Sequence, residues 1–87
     1  MAKHPTKIEN YDGSLEKLVN ELGDLRYDAL SDFLKYLSKK LEQDSLADEG
    51  RNRVQLANHL KHASFSIKES SESIKKAWKI CKPFMEE

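Results

Sequence analysis

Apolar residues recur every three or four positions along most of the chain, which is the spacing of one face of a helix. The first such run has four members, Leu15, Leu18, Val19 and Leu22. Ser14 stands directly before this run, where a serine side chain commonly caps a helix. The pattern therefore predicts a first helix over about 14–22, preceded by an N-terminal arm over 1–13 that we expect to be flexible.

A second and longer run predicts a helix over about 24–43, with Asp24 as its N-cap. Its apolar positions are Leu25, Ala29, Leu30, Phe33, Leu34, Leu37 and Leu41. At about 100° per residue they cover roughly half of the helix circumference. Such a stripe is wider than contact with a single neighbouring helix requires.

A third helix is predicted over about 45–82, because Pro83 disfavours helical geometry at the residue before it. The turn before this helix has two interpretations. Ser45-Leu-Ala-Asp48 resembles a capping box and places the turn near Gln43–Ser45, which we favour. Alternatively, the chain turns at 47–50 and the helix begins near Arg51.

No segment alternates between apolar and polar residues, so we predict no sheet. The expected fold is all-α: a long antiparallel helical hairpin with a short N-terminal helix, in one domain over 14–87. The first helix either extends the second or bends across its end. A four-helix-bundle-like homodimer gives the wide stripe of the second helix more than one neighbour.

Five serines lie within the segment 64–78, and helical spacing sorts them onto two adjacent lines. Ser64 and Ser71 share a coiled-coil-like line with Ile67 and Ile74, at alternating steps of three and four. Small residues between large ones permit close approach of a second helix. We expect large side chains of the second helix, those of Phe33, Leu34 and Leu37, to fill the room beside these serines.

The second line consists of small residues, Ser66, Ser70, Ser73 and Ala77, between Ala63 and Ile80. It has three interpretations: another helix packs closely against it, it faces water, or the segment is a flexible break in the helix. We take these four residues, together with Phe65, as the candidate interface. Phe65 points away from the Ile67–Ile74 line, where an isolated aromatic residue can anchor a partner.

The chain has 87 residues with 15 basic and 15 acidic side chains, so its formal net charge is zero. Residues 1–50 carry −4 and residues 51–87 carry +4, so the two halves attract each other. No segment approaches the roughly 18 apolar residues of a membrane span. The N-terminus has no apolar signal region, and the single cysteine suits a reducing compartment, so we expect a cytoplasmic protein that does not contact membranes.

His59 and His62 form the only H-x-x-H pair, but a metal site prefers three or more convergent ligands. Cys81 lies beside Trp78 on the apolar line and is expected to be a buried structural residue. No glycine-rich loop or nucleophile–base pair is present. We therefore predict no enzyme, no cofactor and no metal.

Four lysines cluster near the end of the third helix: Lys75, Lys76, Lys79 and Lys82. The helix dipole alone favours cations there. The zero net charge, the scarcity of arginine and the lack of an aromatic platform in this patch disfavour nucleic acid. The expected function is a small interaction or regulatory protein acting through protein–protein contacts. The alternatives are a weak nucleic-acid-binding regulator that uses these lysines and a small metal-binding protein.

Overall fold

The computed structural model describes residues 4–85, which form three helices. These are α1 (Leu15–Gly23), α2 (Tyr27–Gly50) and α3 (Val54–Met85). The residues described contain no strand, so the prediction of an all-α fold is confirmed. The molecule is 52 Å long, close to the span of α3, whose 32 residues each rise about 1.5 Å.

The first helix begins where its sequence predicts. The side chain of Ser14 accepts a hydrogen bond from the backbone N–H of Lys17 at 3.1 Å, which satisfies one of the free donors of the first turn. Before it, the hydroxyl of Tyr11 donates to the carboxylate of Glu21 on α1. Gly13 leaves room for the Tyr11 ring, because a Cβ at that position would lie 2.7 Å from it.

The predicted capping role of Asp24 is wrong. Asp24 closes α1 instead, and its backbone N–H donates to the carbonyl of Asn20 at 3.0 Å. The N-cap of α2 is Arg26, which has no side-chain capping bond. Its guanidinium binds Asp28 through two nitrogens, each 2.7 Å from a carboxylate oxygen, and also lies 5.1 Å from the centroid of the Trp78 ring. Arg26 therefore connects the start of α2 to the far end of α3.

The turn between α2 and α3 lies at residues 51–53, later than either predicted position. The N–H of Arg53 donates to the carbonyl of Asp48, and the N–H of Asn52 donates to that of Glu49. Asn52 has a φ of 62°, in the left-handed region. This combination is a Schellman motif, in which asparagine takes the position usually held by glycine.

The expected turn at Gln43–Ser45 is therefore wrong, and the physical reason is the partner of the Ser45 hydroxyl. Ser45 lies inside α2 and donates across to α3, so it does not cap a helix. At the other end, α3 continues through Pro83 to Met85, past the predicted end at Lys82. A proline in the last turn removes one hydrogen bond of that turn without preventing the helix from reaching it.

Helices α2 and α3 lie side by side and run in opposite directions, and extensive helix–helix contact among the described residues is confined to them. The first helix touches this pair only marginally, so it does not cover the far end of α3. Ala57, 2% exposed, is the only buried hydrophobic side chain in the part of the chain that is described. The other fully buried side chains are polar, and five of those six are serines.

Candidate interaction surfaces

Serine faces serine at the contact between α2 and α3. The hydroxyl of Ser38 donates to the main-chain carbonyl of Ser64 at 2.8 Å, and that of Ser64 donates to the carbonyl of Ser38 at 2.7 Å. Ser31 and Ser71 form the same reciprocal pair, also at 2.8 and 2.7 Å. In each pair the two hydroxyl oxygens are 3.1 Å apart. Because each hydroxyl reaches the main chain of the opposite helix, the two backbones at each pair are separated by only the length of one serine side chain.

A third level of this arrangement lies next to the turn. The hydroxyl of Ser45 donates to the carbonyl of Ala57 at 2.8 Å, and Ala57 has no hydroxyl to return the bond. We call these six residues the serine ladder: Ser31, Ser38, Ser45, Ala57, Ser64 and Ser71. Among the described residues, no buried side-chain nitrogen or oxygen lacks a hydrogen-bond partner. Every buried hydroxyl of the ladder therefore has a hydrogen-bond partner within the same helix pair.

The serine ladder corrects the expectation that Phe33, Leu34 and Leu37 fill the room beside Ser64 and Ser71. Serines of α2 occupy that position, while Leu34 and Leu37 are half-buried and Phe33 is exposed. The sequence held a signal for this arrangement. Ser31, Ser38 and Ser45 stand seven residues apart, the same spacing as Ala57, Ser64 and Ser71. Comparing the two helices, rather than α3 alone, reveals the match.

The large apolar side chains of the pair lie on one side of the ladder. Helical spacing places four half-buried leucines of α2 there: Leu30, Leu34, Leu37 and Leu41. On α3, the large half-buried apolar side chains on the same side of its ladder line are Leu60, Ile67, Ile74 and Trp78. Because the helices are antiparallel and right-handed, both sets emerge on the same side of the pair. We call these eight residues the apolar face.

The opposite side of the pair is polar and contains a shallow groove. Side chains from both helices line it together with Ser38 and Ser64 of the ladder: Lys35, Lys39, Glu42, Lys61, Phe65 and Lys68. We call this the lysine groove. Its four lysines and one glutamate give a local formal charge of +3 in a chain of zero net charge. The ion pairs of the described residues use Arg26, Lys40, Arg51 and Arg53, so none of them neutralises a groove lysine.

The predicted interface residues do not share one surface. Ser66, Ser70 and Ser73 are exposed, and the hydroxyl of Ser70 donates within its own helix to the carbonyl of Ser66 at 3.1 Å. Ala77 is half-buried. Phe65, 58% exposed, lies instead in the lysine groove, on the other side of the pair. The structure therefore separates the aromatic residue from the small ones.

The C-terminal lysines Lys75, Lys76, Lys79 and Lys82 are all exposed. Lys75 and Lys82 continue the seven-residue spacing of Lys61 and Lys68. The four lysines of this row extend over about 32 Å of helix, from 21 residues at 1.5 Å each. Two lysines of the predicted basic patch, Lys75 and Lys82, are thus the distal end of a longer row that begins in the lysine groove.

The residues considered for metal binding or catalysis stay apart. His59 and His62 are exposed, and no group of three or more potential metal ligands forms in the part of the chain described. Cys81 is half-buried, and its thiol lies 3.7 Å from the carbonyl of Trp78. Asp48, beside the turn, is buried and faces the guanidinium groups of Arg51 and Arg53 at 3.4 and 3.5 Å. These three charges hold the turn together.

Comparison of the chain with protein-family models, with curated proteins and with solved structures finds no match. In the described part of the chain, no helix is both long and apolar enough to cross a membrane.

Proposed function

We propose that this chain is a small, non-enzymatic helical protein that acts through protein–protein contacts, and that its first partner is a second copy of itself. Two helix pairs join through their apolar faces into a four-helix bundle. The observation that carries the proposal is the apolar face itself. Its eight large side chains lie beside the serine ladder, and no other element of the described chain covers them. The lone thiol of Cys81 fits a reducing compartment, and we propose the cytoplasm.

The surface area of the chain supports a partner of this size. The chain exposes 7584 Å². A compact monomer of 10.1 kDa exposes about 5,300 Å² by size scaling. The difference is about 2,300 Å². Obligate dimer interfaces bury about 2,000 Å² or more in total, which is about 1,000 Å² or more from each chain. The excess surface of this chain is larger than that. The chain therefore exposes more surface than a contact of this size needs, and we propose the apolar face as the part that is buried in the dimer.

Charge complementarity supports a second copy over an unrelated partner. By its sequence, α2 carries six acidic and three basic residues, and α3 carries six basic and two acidic residues. A two-fold dimer that sets α2 of one copy beside α3 of the other brings helices of opposite net charge next to each other. A dimer that sets α3 beside α3 brings like charges together and is disfavoured.

The small residues Ser66, Ser70, Ser73 and Ala77 remain candidates for the edge of this interface. Helical spacing places Ser70 and Ala77 nearest the apolar face, beside Ile74. Phe65 lies on the opposite side and takes no part in the proposed dimer. Ser70→Leu at this edge should weaken the dimer if the partner helix approaches closely there, and should leave it unchanged if only water does.

The test is the mass of the protein in solution, measured by sedimentation equilibrium at micromolar concentration. We expect about 20 kDa, twice the chain mass of 10.1 kDa. Leu37→Lys places a charge in the apolar face and should yield the monomer. Tyr36→Lys is the matched control, because Tyr36 is the adjacent residue and is 66% exposed. A helical 10-kDa monomer for the unaltered protein overturns the proposal, as does equal loss of the dimer in both variants.

A further inference from the structure

The lysine groove is a surface that the proposed dimer leaves open. It lies on the side of the helix pair opposite the apolar face, so two copies joined through their apolar faces present two such grooves outward. Its lysines come from both helices, Lys35 and Lys39 from α2 and Lys61 and Lys68 from α3. Four lysines and a single glutamate line this groove, although the chain as a whole has a formal charge of zero.

The aromatic ring of Phe65 lies among the lysines of this groove. Phe65 follows Lys61 by one turn of α3 and precedes Lys68 by one turn, and it lines the same groove as both. Phe65 is 58% exposed, so much of its surface is accessible to a ligand. Lys75 and Lys82 continue the same row toward the C-terminal end of α3. Phe65 provides a platform one heptad or more earlier, in the same row of lysines.

We propose that the lysine groove binds single-stranded nucleic acid, with phosphates along the lysines and one base stacked on Phe65. A nucleotide carries both an anionic phosphate and a flat aromatic base, and the groove offers a matching group for each. A simple polyanion such as polyglutamate pairs with the lysines but has no aromatic group to stack on Phe65. A duplex keeps its bases stacked on one another, so they cannot reach Phe65.

The row of lysines sets the direction of the bound strand. Lys61, Lys68, Lys75 and Lys82 stand seven residues apart along α3, and the strand follows them from the groove toward the C-terminal end of the helix. No arginine lies in this row. Lysine acts on phosphate as a point charge, without the two-pronged geometry by which arginine selects particular base edges. Binding is therefore independent of sequence and strongly dependent on salt.

The experiment measures fluorescence polarisation of a labelled single-stranded oligothymidine, titrated with the full chain at several salt concentrations. We expect binding at low salt that weakens as salt rises. Replacing Lys61 and Lys68 together by glutamine should reduce the slope of log affinity against log salt by about 1.4, at about 0.7 for each phosphate that is no longer neutralised. Phe65→Leu keeps an apolar side chain without the ring and should weaken binding about 5- to 150-fold, the range for one stacked base.

Two matched controls separate the groove from general charge. Lys40→Gln removes a lysine that pairs with Asp44 outside the groove, and Tyr36→Leu removes an exposed aromatic residue outside it. Both should bind as the unaltered protein does. Circular dichroism and solution mass confirm that each variant keeps its helices and its oligomeric state, so failure of the dimer and failure of this site are distinguishable.

Four results overturn the proposal. The first is no change in polarisation at low salt. The second is equal weakening by Lys40→Gln and by the groove variants, which indicates non-specific attraction. The third is unchanged binding in Phe65→Leu. The fourth is displacement of the oligonucleotide by polyglutamate, or by anionic lipid vesicles, at the same charge concentration as by unlabelled oligothymidine, because such a site recognises charge alone.

Discussion

The hydroxyl of Ser38 and that of Ser64 each donate to the main-chain carbonyl of the other residue, at 2.8 and 2.7 Å. The two helices are thereby joined through side chains small enough to bring their backbones together. Leucine and isoleucine usually hold such helices together, as in coiled coils. Here the ladder moves those larger side chains to one side, where they form the apolar face. The same contact therefore closes the helix pair and creates its outward surface.

The closeness of this contact is tested by enlarging one serine of the ladder. Ser71→Leu removes the hydrogen bond that the Ser71 hydroxyl donates to the carbonyl of Ser31, and it places a side chain of four heavy atoms where serine has two, against the backbone of α2. We expect a loss of about 3 kcal/mol or more in the free energy of unfolding, measured by urea denaturation at fixed protein concentration. Ser73→Leu, on the exposed side of the same helix, should change it by no more than about 0.5 kcal/mol. Equal effects of the two substitutions contradict the ladder.

At the level of Ser45 and Ala57 the ladder has only one hydroxyl, and we expect a second hydroxyl there to maintain or raise the stability of the protein. Ala57→Ser supplies the missing hydroxyl, which is positioned to donate to the carbonyl of Ser45. We expect this bond, worth about 1 kcal/mol, to outweigh or balance the lower helix propensity of serine, about 0.5 kcal/mol. Stability to urea should stay the same or rise. Ala57→Val is the control and should cost about 1–3 kcal/mol by overpacking. If Ala57→Ser costs as much as Ala57→Val, the backbones are not positioned for the bond.

The turn provides a test of backbone conformation. Asn52 has a φ of 62°, so Asn52→Ala should lower the free energy of unfolding by about 1 kcal/mol, while Asn52→Gly should not lower it. Gly50 has no positive φ, and a Cβ there meets no atom within 4 Å. Gly50→Ala should therefore raise the free energy by about 0.5–1 kcal/mol. Thermal unfolding of the three variants measures all of these effects, and destabilisation by Gly50→Ala would falsify the assigned turn.

Tyr11, in the N-terminal arm, has a raised pKa that a titration can detect. The hydrogen bond to Glu21, with smaller contributions from burial and from the negative charge of that carboxylate, raises the pKa of Tyr11 from 10.0 to about 12. Because the folded-state pKa is the higher one, this bond stabilises the arm fully below pH 10 and is lost as pH rises through about 12.

The absorbance of tyrosinate during an alkaline titration measures this shift. We expect a component near pH 12 that disappears in Tyr11→Phe. In Glu21→Gln the Tyr11 component should move to lower pH, because the charge that opposes ionisation is gone. If the unaltered protein shows no tyrosinate component near pH 12, the bond between Tyr11 and Glu21 is absent in solution.

The sequence predicted the features that depend on neighbouring residues. Helical periodicity predicted the all-α fold, and Ser14 before an apolar run predicted the start of α1. These signals act within a few residues, so they are readable from one segment. The position of the turn was misjudged because Ser45 and Asp48 fit the local pattern of a capping box. Their actual partners are Ala57, across the turn, for Ser45 and Arg53, within the turn, for Asp48.

The interaction surfaces depend on which residues of the two helices face each other, and a single helix does not contain that information. The alignment of α2 with α3 places serine opposite serine, and this alone decides which side of each helix faces outward. Phe65 illustrates the difficulty. The sequence predicts that Phe65 points away from the Ile67–Ile74 line. Its position between lysines of α3 and lysines of α2 becomes visible only when both helices are in place.

The levels of the serine ladder also imply an order of folding. Their sequence separations are 12 residues for Ser45 and Ala57, 26 for Ser38 and Ser64, and 40 for Ser31 and Ser71. Closing the shortest loop costs the least chain entropy, and each level then shortens the loop that remains for the next. We expect the two helices to zip from Asn52 outward. Substitutions near the turn then slow folding, whereas those near Ser31 and Ser71 mainly speed unfolding.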